Sequence, residues 1–331
     1  MKVSQIGEFG LIDKIKKDAI FNKKRVVQGI GDDTAVEKIN GGMYLLSTCD
    51  MLVENIHFLR NVISPWQLGY KAAAVNLSDI AAMGGKPTGI LVSIALPKDT
   101  DTEYIEEFYK GLKSICKEYE TNLLGGDTVS SPKHIVVNVT ALGEVPPKDL
   151  VLRSGAGIGD VVMVTGTLGD SAAGLEIILS KKDKSIYPGL LSRHLTPSPQ
   201  VKEGMFLASL GLITSLNDIS DGLASEISEI AKASQVGAKI IAEQIPLSED
   251  VKNLAQEMGK DPLNWALYGG EDYHLIFTCH DQDCEIIKKM FRKKFKKELY
   301  KIGYIVPLEE GISLQKRGLT EPIIRKGYNH F

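Results

Sequence analysis

The stretch SPWQLGYKAAAVNLSDIAAMGG, residues 64–85, predicts a helix that carries start and stop signals. Ser64 is a favoured N-cap residue and Pro65 suits the first helical position, while the closing glycine pair is a typical C-terminal stop. The helix predicted at 66–83 is rich in alanine, so a neighbouring element can approach it closely. Asp79 lies near its C-terminus, where the helix dipole disfavours a carboxylate by roughly 0.3–1 kcal/mol. That cost suggests a compensating cation or hydrogen bond.

Strands and helices alternate on both sides of this helix. In the first part of the chain, the pattern predicts helices within 1–22 and at 103–119, and strands at 26–30, 43–48, 89–96, 122–124 and 135–143. In the second part, it predicts one helix that ends near residue 179 and two further helices at 201–210 and 223–234. It also predicts a loop over 181–200 and strands at 161–165, 239–242, 273–278 and 300–306. A domain break is expected near Pro146 and Pro147.

These elements predict an α+β fold made of two α/β-sandwich domains. We expect an N-terminal domain over 1–147, with a mixed sheet and βαβ units, and a C-terminal α+β domain over 148–331. A length of 331 residues fits two domains.

Composition excludes several broad classes of protein. The net charge is −3, so no global field favours nucleic acid. The basic stretch 288–297 has apolar residues at helical spacing, which indicates an amphipathic helix with a solvated basic face.

No apolar run approaches the roughly 18–20 residues of a membrane span, and no secretory signal is evident. The four cysteines form no Cys-x-x-Cys pair, and His-Glu-x-x-His is absent, so zinc is not expected. We expect a cytoplasmic protein.

Aspartates recur where apolar runs end. They are Asp32, Asp33, Asp50, Asp79, Asp127, Asp218 and Asp221. Any one of them is more often part of a polar turn or a helix cap. Several carboxylates brought together would repel one another unless hard cations lay between them. Mg²⁺ is typically held by one or two carboxylates plus substrate phosphate oxygens, so the recurrence favours metal-dependent phosphate chemistry.

The common nucleotide-binding motifs are absent. Neither Gly-Lys pair continues into Ser or Thr as a P-loop requires, and the glycine-rich segment at 29–34 lacks the third glycine of the dinucleotide motif. No protein-kinase signature occurs. The segments 166–174 and 218–222 each precede a helix, so each is either a phosphate site or an ordinary structural turn. Arg153 precedes another glycine-rich turn and could pair with phosphate, although a surface arginine is the default interpretation.

Taken together, the motifs resemble the thiamine-monophosphate kinase family. They are GIGDD (29–33), AVNLSDIAAMG (74–84), GGDT (125–128), VTGTLGDSAAGL (164–175), ISDGL (219–223) and YGGEDY (268–273). The resemblance runs from about residue 7 to the last residue. It implies ATP-dependent phosphorylation of thiamine monophosphate to thiamine diphosphate, several Mg²⁺ ions, and a homodimer whose N-terminal sheets pack together.

The resemblance also implies roles for individual residues. The implied metal ligands are Asp33, Thr48, Cys49 through its backbone, Asp50, Asp79, Asp127, Asp218 and Asp221. Of these, the residues expected to be catalytic are Asp50, Asp79, Asp127 and Asp218. The implied ATP contacts are Gly126, Asp127, Arg153, Ser220 and Tyr109. The implied substrate contacts are His57, Glu271 and Tyr328, and an aromatic face such as that of Tyr328 suits the thiazolium cation. Cys49 departs from the family, which often has a hydroxyl residue at this position.

This assignment agrees with the chemistry of the residues. Phosphoryl transfer needs positioning and charge neutralisation more than covalent work, so direct in-line transfer is expected. Other enzymes of the same superfamily are the nearest alternatives, but selenophosphate synthetases carry a reactive Cys near the N-terminus and none precedes Cys49 here. A non-catalytic metal and nucleotide sensor is an alternative of another class, and a metal-dependent phosphatase is a third. The phosphatase lacks an obvious water-activating base.

Overall fold

The computed structural model describes residues 2–180, 182–183 and 185–324, which form two sheets with helices packed on them. The helices of the first part are α1 (Gly7–Ile15), α2 (Pro65–Ala82) and α3 (Thr102–Glu118). The strands are β1 (Val26–Gln28), β2 (Ala35–Lys38), β3 (Tyr44–Val53), β4 (Lys86–Pro97), β5 (Asn122–Ser131) and β6 (Val136–Val145). Their sheet has the order β1-β2-β3-β6-β4-β5. It is mixed, because β4 and β5 run parallel around α3 as a βαβ unit while the other pairs are antiparallel.

The second part contains a seven-stranded sheet in the order β13-β12-β9-β11-β7-β10-β8. Its strands are β7 (Val161–Val164), β8 (Ile213–Asp218), β9 (Gly237–Ile241), β10 (Leu275–Cys279), β11 (Tyr300–Val306), β12 (Ile312–Lys316) and β13 (Leu319–Pro322). Its helices are α4 (Asp170–Ser180), α5 (Pro188–Leu195), α6 (Val201–Ser209), α7 (Leu223–Ser234), α8 (Glu249–Met258), α9 (Pro262–Tyr268) and α10 (Cys284–Phe295). The predicted α+β class and the mixed N-terminal sheet are confirmed, and the C-terminal sheet is mixed as well because β9 and β12 run parallel. The boundary at residue 147 stays a prediction.

Helix α2 begins and ends close to where its caps predict. The Ser64 hydroxyl accepts a hydrogen bond from the Gln67 amide, and the Gln67 side chain accepts one from the Ser64 amide. Close approach to α3 depends on glycine, since a Cβ at Gly69 would lie 1.8 Å from the Phe108 carbonyl oxygen. On another side α2 contacts α6 and β8, so this helix connects the two parts of the chain.

Three local predictions need correction. The loop predicted over 181–200 contains α5, which begins at Pro188 and buries Leu190 against its neighbours. Strand β3 continues to Val53 and β5 to Ser131, so Asp50 and Asp127 lie inside strands and not after them. The cause is tertiary, because β6 pairs with the whole length of β3 and β4 pairs with the extended part of β5.

Gly126 is required by the pairing of β4 and β5. A Cβ at this position would lie 1.8 Å from the Val92 carbonyl oxygen, and backbone cannot move aside as a side chain can. We expect Gly126→Ala to lower the free energy of unfolding by at least about 3 kcal/mol, near or above the usual cost of overpacking. Urea denaturation followed by circular dichroism measures this change.

Gly125→Ala is the matched control. Gly125 has nearly the same φ, 157° against 154°, but a Cβ there would only meet Leu91 Cδ2 at 3.7 Å. Equal destabilisation by the two substitutions would contradict the proposed backbone clash.

Candidate active site

Three carboxylates converge where the two parts of the chain meet. Asp33 lies in the turn before β2, Asp79 in the last turn of α2 and Asp218 at the end of β8. One ligand oxygen of each lies within 4.8 Å of those of the other two. Asp218 is 1% exposed and Asp33 is 9% exposed. Like charges this close and this buried require compensation.

Neighbouring hydroxyl groups orient two of these carboxylates. Thr48 Oγ1 donates to Asp79 Oδ2 at 2.5 Å, and Ser78 Oγ donates to Asp218 Oδ2. Because Ser78 and Asp79 are adjacent on α2, the end of this helix serves both carboxylates. The predicted metal ligand Thr48 therefore lies beside the cluster.

Arg153 balances the third carboxylate. Its guanidinium donates to Asp33 Oδ1 and to Asn217 Oδ1, the latter at 3.2 Å, and its backbone amide donates to Asp32 at 3.2 Å. Further ion pairs join Arg153 to Glu229 at 3.5 Å and to Asp32 at 3.9 Å. A surface arginine is thus the wrong interpretation for Arg153, whose side chain is 17% exposed.

One oxygen of the cluster lacks a hydrogen-bond partner. Asp33 Oδ2 is buried and accepts no hydrogen bond, which is costly for a carboxylate oxygen. Octahedral Mg²⁺ with bonds of about 2.1 Å places its ligand oxygens roughly 3 to 4 Å apart. The spacing of the three carboxylates is close to that range, so the donor set fits one or two hard divalent cations.

The electrostatics of the cluster favour protonated carboxyl groups when no cation is bound. Burial, aided by Asp33, raises the pKa of Asp218 to about 8. Burial, aided by Asp221 and Asp33, raises the pKa of Asp50 to about 6. The pKa of Asp79 lies well above its usual range for the same reason, with Asp50 and Asp218 adding to the effect. Asp50 and Asp221 therefore lie within the electrostatic range of the cluster.

These shifts predict how pH affects stability. Between the ordinary aspartate pKa of about 4 and the raised values, the folded chain binds more protons than the unfolded chain, so stability falls as pH rises. We expect the melting temperature in EDTA to be lower at about pH 8 than at about pH 5. Mg²⁺ should raise it more at the higher pH, because the cation favours ionised carboxylates. Differential scanning fluorimetry measures both effects, and Asp218→Asn should reduce both. An Mg²⁺ effect that is independent of pH would contradict this prediction.

Asp127 is not brought to the cluster of its own chain. Asp50, Val139, Val92 and Gly126 form one row across the sheet. With strands about 4.8 Å apart, Asp50 and Gly126 are separated by about 14 Å. Asp127 lies in the next row and is exposed on edge strand β5. Asp50 and Asp127 of one chain therefore cannot hold the same ion.

Strand alternation also decides the orientation of Cys49. Leu46 and Leu52 on β3 are buried beneath α2, and Thr48 and Asp50 share that face. The Cys49 side chain lies on the opposite, exposed face. A contact from the Cys49 side chain to the cluster is thus ruled out, and the predicted backbone contact stays a prediction.

Glu226 organises the segment that follows Asp218. Its carboxylate accepts from Asn217 Nδ2 at 2.8 Å, from the Asp221 amide at 3.0 Å and from Ser220 Oγ at 3.4 Å. Burial, aided by Asp221, raises the pKa of Glu226 well above its usual range. Ser220 and Asp221, which the resemblance assigns to ATP and metal, are therefore held in place from inside α7.

The glycine-rich segment 166–174 has two of its amides occupied by the side chain of Asp272. Asp272 Oδ2 accepts from the Gly169 amide at 2.6 Å, and Asp272 Oδ1 accepts from the Ser171 amide at 3.1 Å. These are the groups at the start of α4 that a phosphate would need. The structure thus favours the structural turn over the phosphate site.

The remaining predicted residues lie in different places. His57 follows β3, and its Nδ1 accepts from the Val53 amide at 2.9 Å, so Nε2 carries its proton. Glu271 forms an ion pair with Lys71, which is buried. Tyr109 is half-buried on α3 beside Phe108. Tyr328 lies outside the described residues.

Sequence patterns missed three buried polar residues. Lys71, Asn76 and Glu226 are each at most 2% exposed. Asn76 accepts from the Asp50 amide at 3.0 Å and fixes that part of β3. A lysine and an asparagine in an otherwise small and apolar helix were the available signal, but their partners are distant in sequence.

Comparison with known proteins places this chain in a family. Residues 31–145 match the AIR synthase related protein, N-terminal domain, and residues 157–314 match the corresponding C-terminal domain. A thiamine-monophosphate kinase of Bacillus subtilis is 39% identical over 98% of this chain and 99% of its own. The chain belongs to the thiamine-monophosphate kinase family. It is therefore an enzyme, a kinase of this family.

Solved structures agree with that assignment. A thiamine monophosphate kinase of Aquifex aeolicus has a TM-score of 0.82 at 35% identity, covering 97% of this chain and 100% of its own. A structure described as AaThiL complexed with AMPPCP and TMP has a TM-score of 0.87 at 37% identity, covering 100% of this chain and 99% of its own. This kinase therefore shares the complete two-part architecture of its relatives.

Proposed function

We propose that this enzyme transfers the γ-phosphoryl group of ATP to thiamine monophosphate, which gives thiamine diphosphate and ADP. The observation that carries the proposal is the buried cluster of Asp33, Asp79 and Asp218 in a chain of this family. The solved relative with AMPPCP and TMP supports the same pair of reactants. This reaction completes the synthesis of thiamine diphosphate, and we place it in the cytoplasm. Among the described residues, none of the helices has the length and apolarity needed to cross a membrane.

The cluster residues fit divalent cations and would hold them. Asp33, Asp79 and Asp218 are the central ligands, and Thr48 and Asp50 lie beside them. Bound Mg²⁺ would supply charge neutralisation for the phosphate oxygens of the two reactants. Arg153 adds one fixed positive charge, held in position by Asp33 and Asn217.

The transfer itself is proposed to be direct and in line. A terminal phosphate oxygen of thiamine monophosphate attacks the γ-phosphorus of ATP, a new P–O bond forms, and the bond to ADP breaks. The carboxylates of the cluster would hold the cations, and the hydroxyl groups orient these carboxylates by hydrogen bonds. The reaction needs no covalent intermediate. Ser220, held by Glu226, and Gly126 are proposed contacts for ATP, as is Tyr109.

The acceptor is proposed to lie near Glu271 and His57. The side chain of Glu271 is 26% exposed, which leaves part of its carboxylate open to a ligand. The Nε2–H of His57 is a hydrogen-bond donor directed away from the Val53 amide. Tyr328 stays the proposed aromatic contact for the thiazolium.

A homodimer is proposed because the outer face of the N-terminal sheet is apolar and exposed. Met51, Leu91, Leu124 and Val129 are 38% to 57% exposed. Register places Met51 in one row with Asp127 across this face. If two such faces pack together, Asp127 lies at the interface. It then serves the site of the partner subunit, since it cannot reach its own.

The acceptor assay tests the proposed function. We expect ADP release that requires both Mg²⁺ and thiamine monophosphate, and formation of thiamine diphosphate in equal amount. ADP release is measured by a coupled assay and the product by chromatography. Unphosphorylated thiamine is the matched control, because it lacks the attacking phosphate. Equal ADP release with thiamine would refute the proposed acceptor.

A further inference from the structure

Lys71 is a fully buried cation that joins the two parts of the chain. It lies on α2, is 1% exposed, and its Nζ is 2.8 Å from each carboxylate oxygen of Glu271. The two residues are 200 positions apart in sequence. Burying an ammonium group is costly unless it is paired with good geometry. A lysine here therefore needs a reason beyond packing, which an apolar side chain would provide more easily.

The Glu271 carboxylate is fixed by further contacts. Its Oε2 lies 3.1 Å from His194 Nδ1 on α5, and Ser171 Oγ on α4 lies 3.1 Å from the same nitrogen. The Glu271 amide donates to the Ser220 carbonyl at 2.7 Å, and the residue has a φ of 69°. A non-glycine residue at positive φ is strained and persists only where its surroundings hold it. Elements from both parts of the chain thus hold one carboxylate.

The protonation states follow from this arrangement. Burial alone would raise the pKa of Glu271, but the charge of Lys71 and the hydrogen bond from His194 lower it to about 2. Burial and the charge of Lys71 lower the pKa of His194. His194 is therefore neutral at neutral pH, and its Nδ1 carries the proton because a carboxylate can only accept.

Glu271 keeps the capacity to bind a ligand. A carboxylate has about four acceptor positions, and the Lys71 and His194 contacts occupy three. The exposed quarter of the side chain leaves one position open. Because Lys71 and His194 hold both oxygens in place, the open acceptor position points in a single direction.

We propose that Lys71 and His194 are positioning residues that hold Glu271 for the phosphate acceptor. This inference rests on the proposed function, in which Glu271 contacts thiamine monophosphate. Lys71 acts through the Glu271 side chain, whereas the Ser220 hydroxyl and the Asp221 amide are held by Glu226. The contact of Glu271 to Ser220 is made by its backbone amide, which a side-chain substitution of Lys71 or Glu271 leaves in place. Removal of the Lys71 ammonium group should therefore change acceptor binding and leave ATP binding almost unaltered.

A double-mutant cycle tests the proposal. Lys71→Met, Glu271→Gln and the double variant are compared with wild type for kcat, both KM values and melting temperature. We expect each single substitution to raise the KM for thiamine monophosphate at least about 10-fold while the KM for ATP changes less than about 2-fold. We expect the double variant to be no worse than Glu271→Gln alone, since coupled residues are not additive.

Two histidine variants provide the conservative rescue. His194→Asn keeps an N–H donor near the position of Nδ1, whereas His194→Leu removes it. We expect the acceptor KM to stay within about 3-fold of wild type in His194→Asn and to rise clearly in His194→Leu. Equal acceptor KM values in these two variants would argue against His194 as a positioning residue.

The outcomes separate this inference from the proposed function. If wild type showed no ADP release that depends on thiamine monophosphate, the proposed function would fail and this inference with it. If wild type is active but Lys71→Met changes only the melting temperature, the pair is a structural ion pair and the inference alone is overturned. Fully additive effects in the cycle would overturn it as well.

Discussion

An Asp79→Asn variant is expected to lose at least about 100-fold in kcat with Mg²⁺ and both substrates present. Asp79 lies at the centre of the cluster, and one lost metal carboxylate at about 2.7 kcal/mol corresponds to that factor. The shape of the site is retained, because an amide oxygen can still accept from Thr48 Oγ1. Steady-state kinetics at saturating substrate measure the loss.

Stability separates this effect from unfolding. Because burial raises the pKa of Asp79 far above its usual range, replacing the acid by a neutral amide should not lower the melting temperature in EDTA. The increase in melting temperature caused by Mg²⁺ should shrink. Asp160→Asn is the control, since Asp160 is an interior aspartate at 2% exposure that is bonded to Thr214 and His280 outside the cluster. Near-normal kcat in Asp79→Asn would remove Asp79 from the metal site.

The second large effect is expected from mixed dimers. Homodimers of Asp127→Asn and of Asp79→Asn should each lose at least about 100-fold in turnover. If the proposed dimer shares its sites between subunits, a heterodimer with one substitution in each chain should regain about half of wild-type turnover, because one of its two sites combines an intact Asp79 with an intact Asp127. Co-expression with two affinity tags and tandem purification yields the heterodimer for assay.

The reciprocal heterodimer is the control. It pairs a wild-type chain with a chain that carries both substitutions. If Asp127 serves the partner subunit, both of its sites are damaged and it should be inactive. If Asp127 serves its own chain, this dimer keeps one intact site and the results reverse. A strictly monomeric enzyme with normal activity would contradict the shared site altogether.

Elements with local signals could be predicted from the sequence. Helix α2 has its N-cap, its proline and its glycine stop within one stretch, so its bounds differ from the prediction by one residue at each end. The amphipathic helix predicted around 288–297 is confirmed as α10, with Ile287 and Phe291 buried. Strands β3 and β5 were predicted too short, because their length depends on pairing with β6 and β4.

In the candidate site, too, features with local signals could be predicted and features that depend on distant contacts could not. Aspartate segments and their order in the chain pointed to the family and to metal-dependent phosphate chemistry. No local pattern could pair Lys71 with Glu271, or show that Asp272 occupies the amides at the start of α4. Such contacts join residues about 100 to 200 positions apart.

The sequence by itself determined the family, the capped helices and the set of carboxylates available for metal. These signals are short-range, since a cap or a motif acts within a few residues of backbone. Only the tertiary structure decided which carboxylates meet. It brought one ligand oxygen each of Asp33, Asp79 and Asp218 within 4.8 Å of one another and placed Asp127 on edge strand β5, away from them. The physical reason is that sheet register and helix packing set the face on which each side chain lies, and both depend on contacts between distant segments.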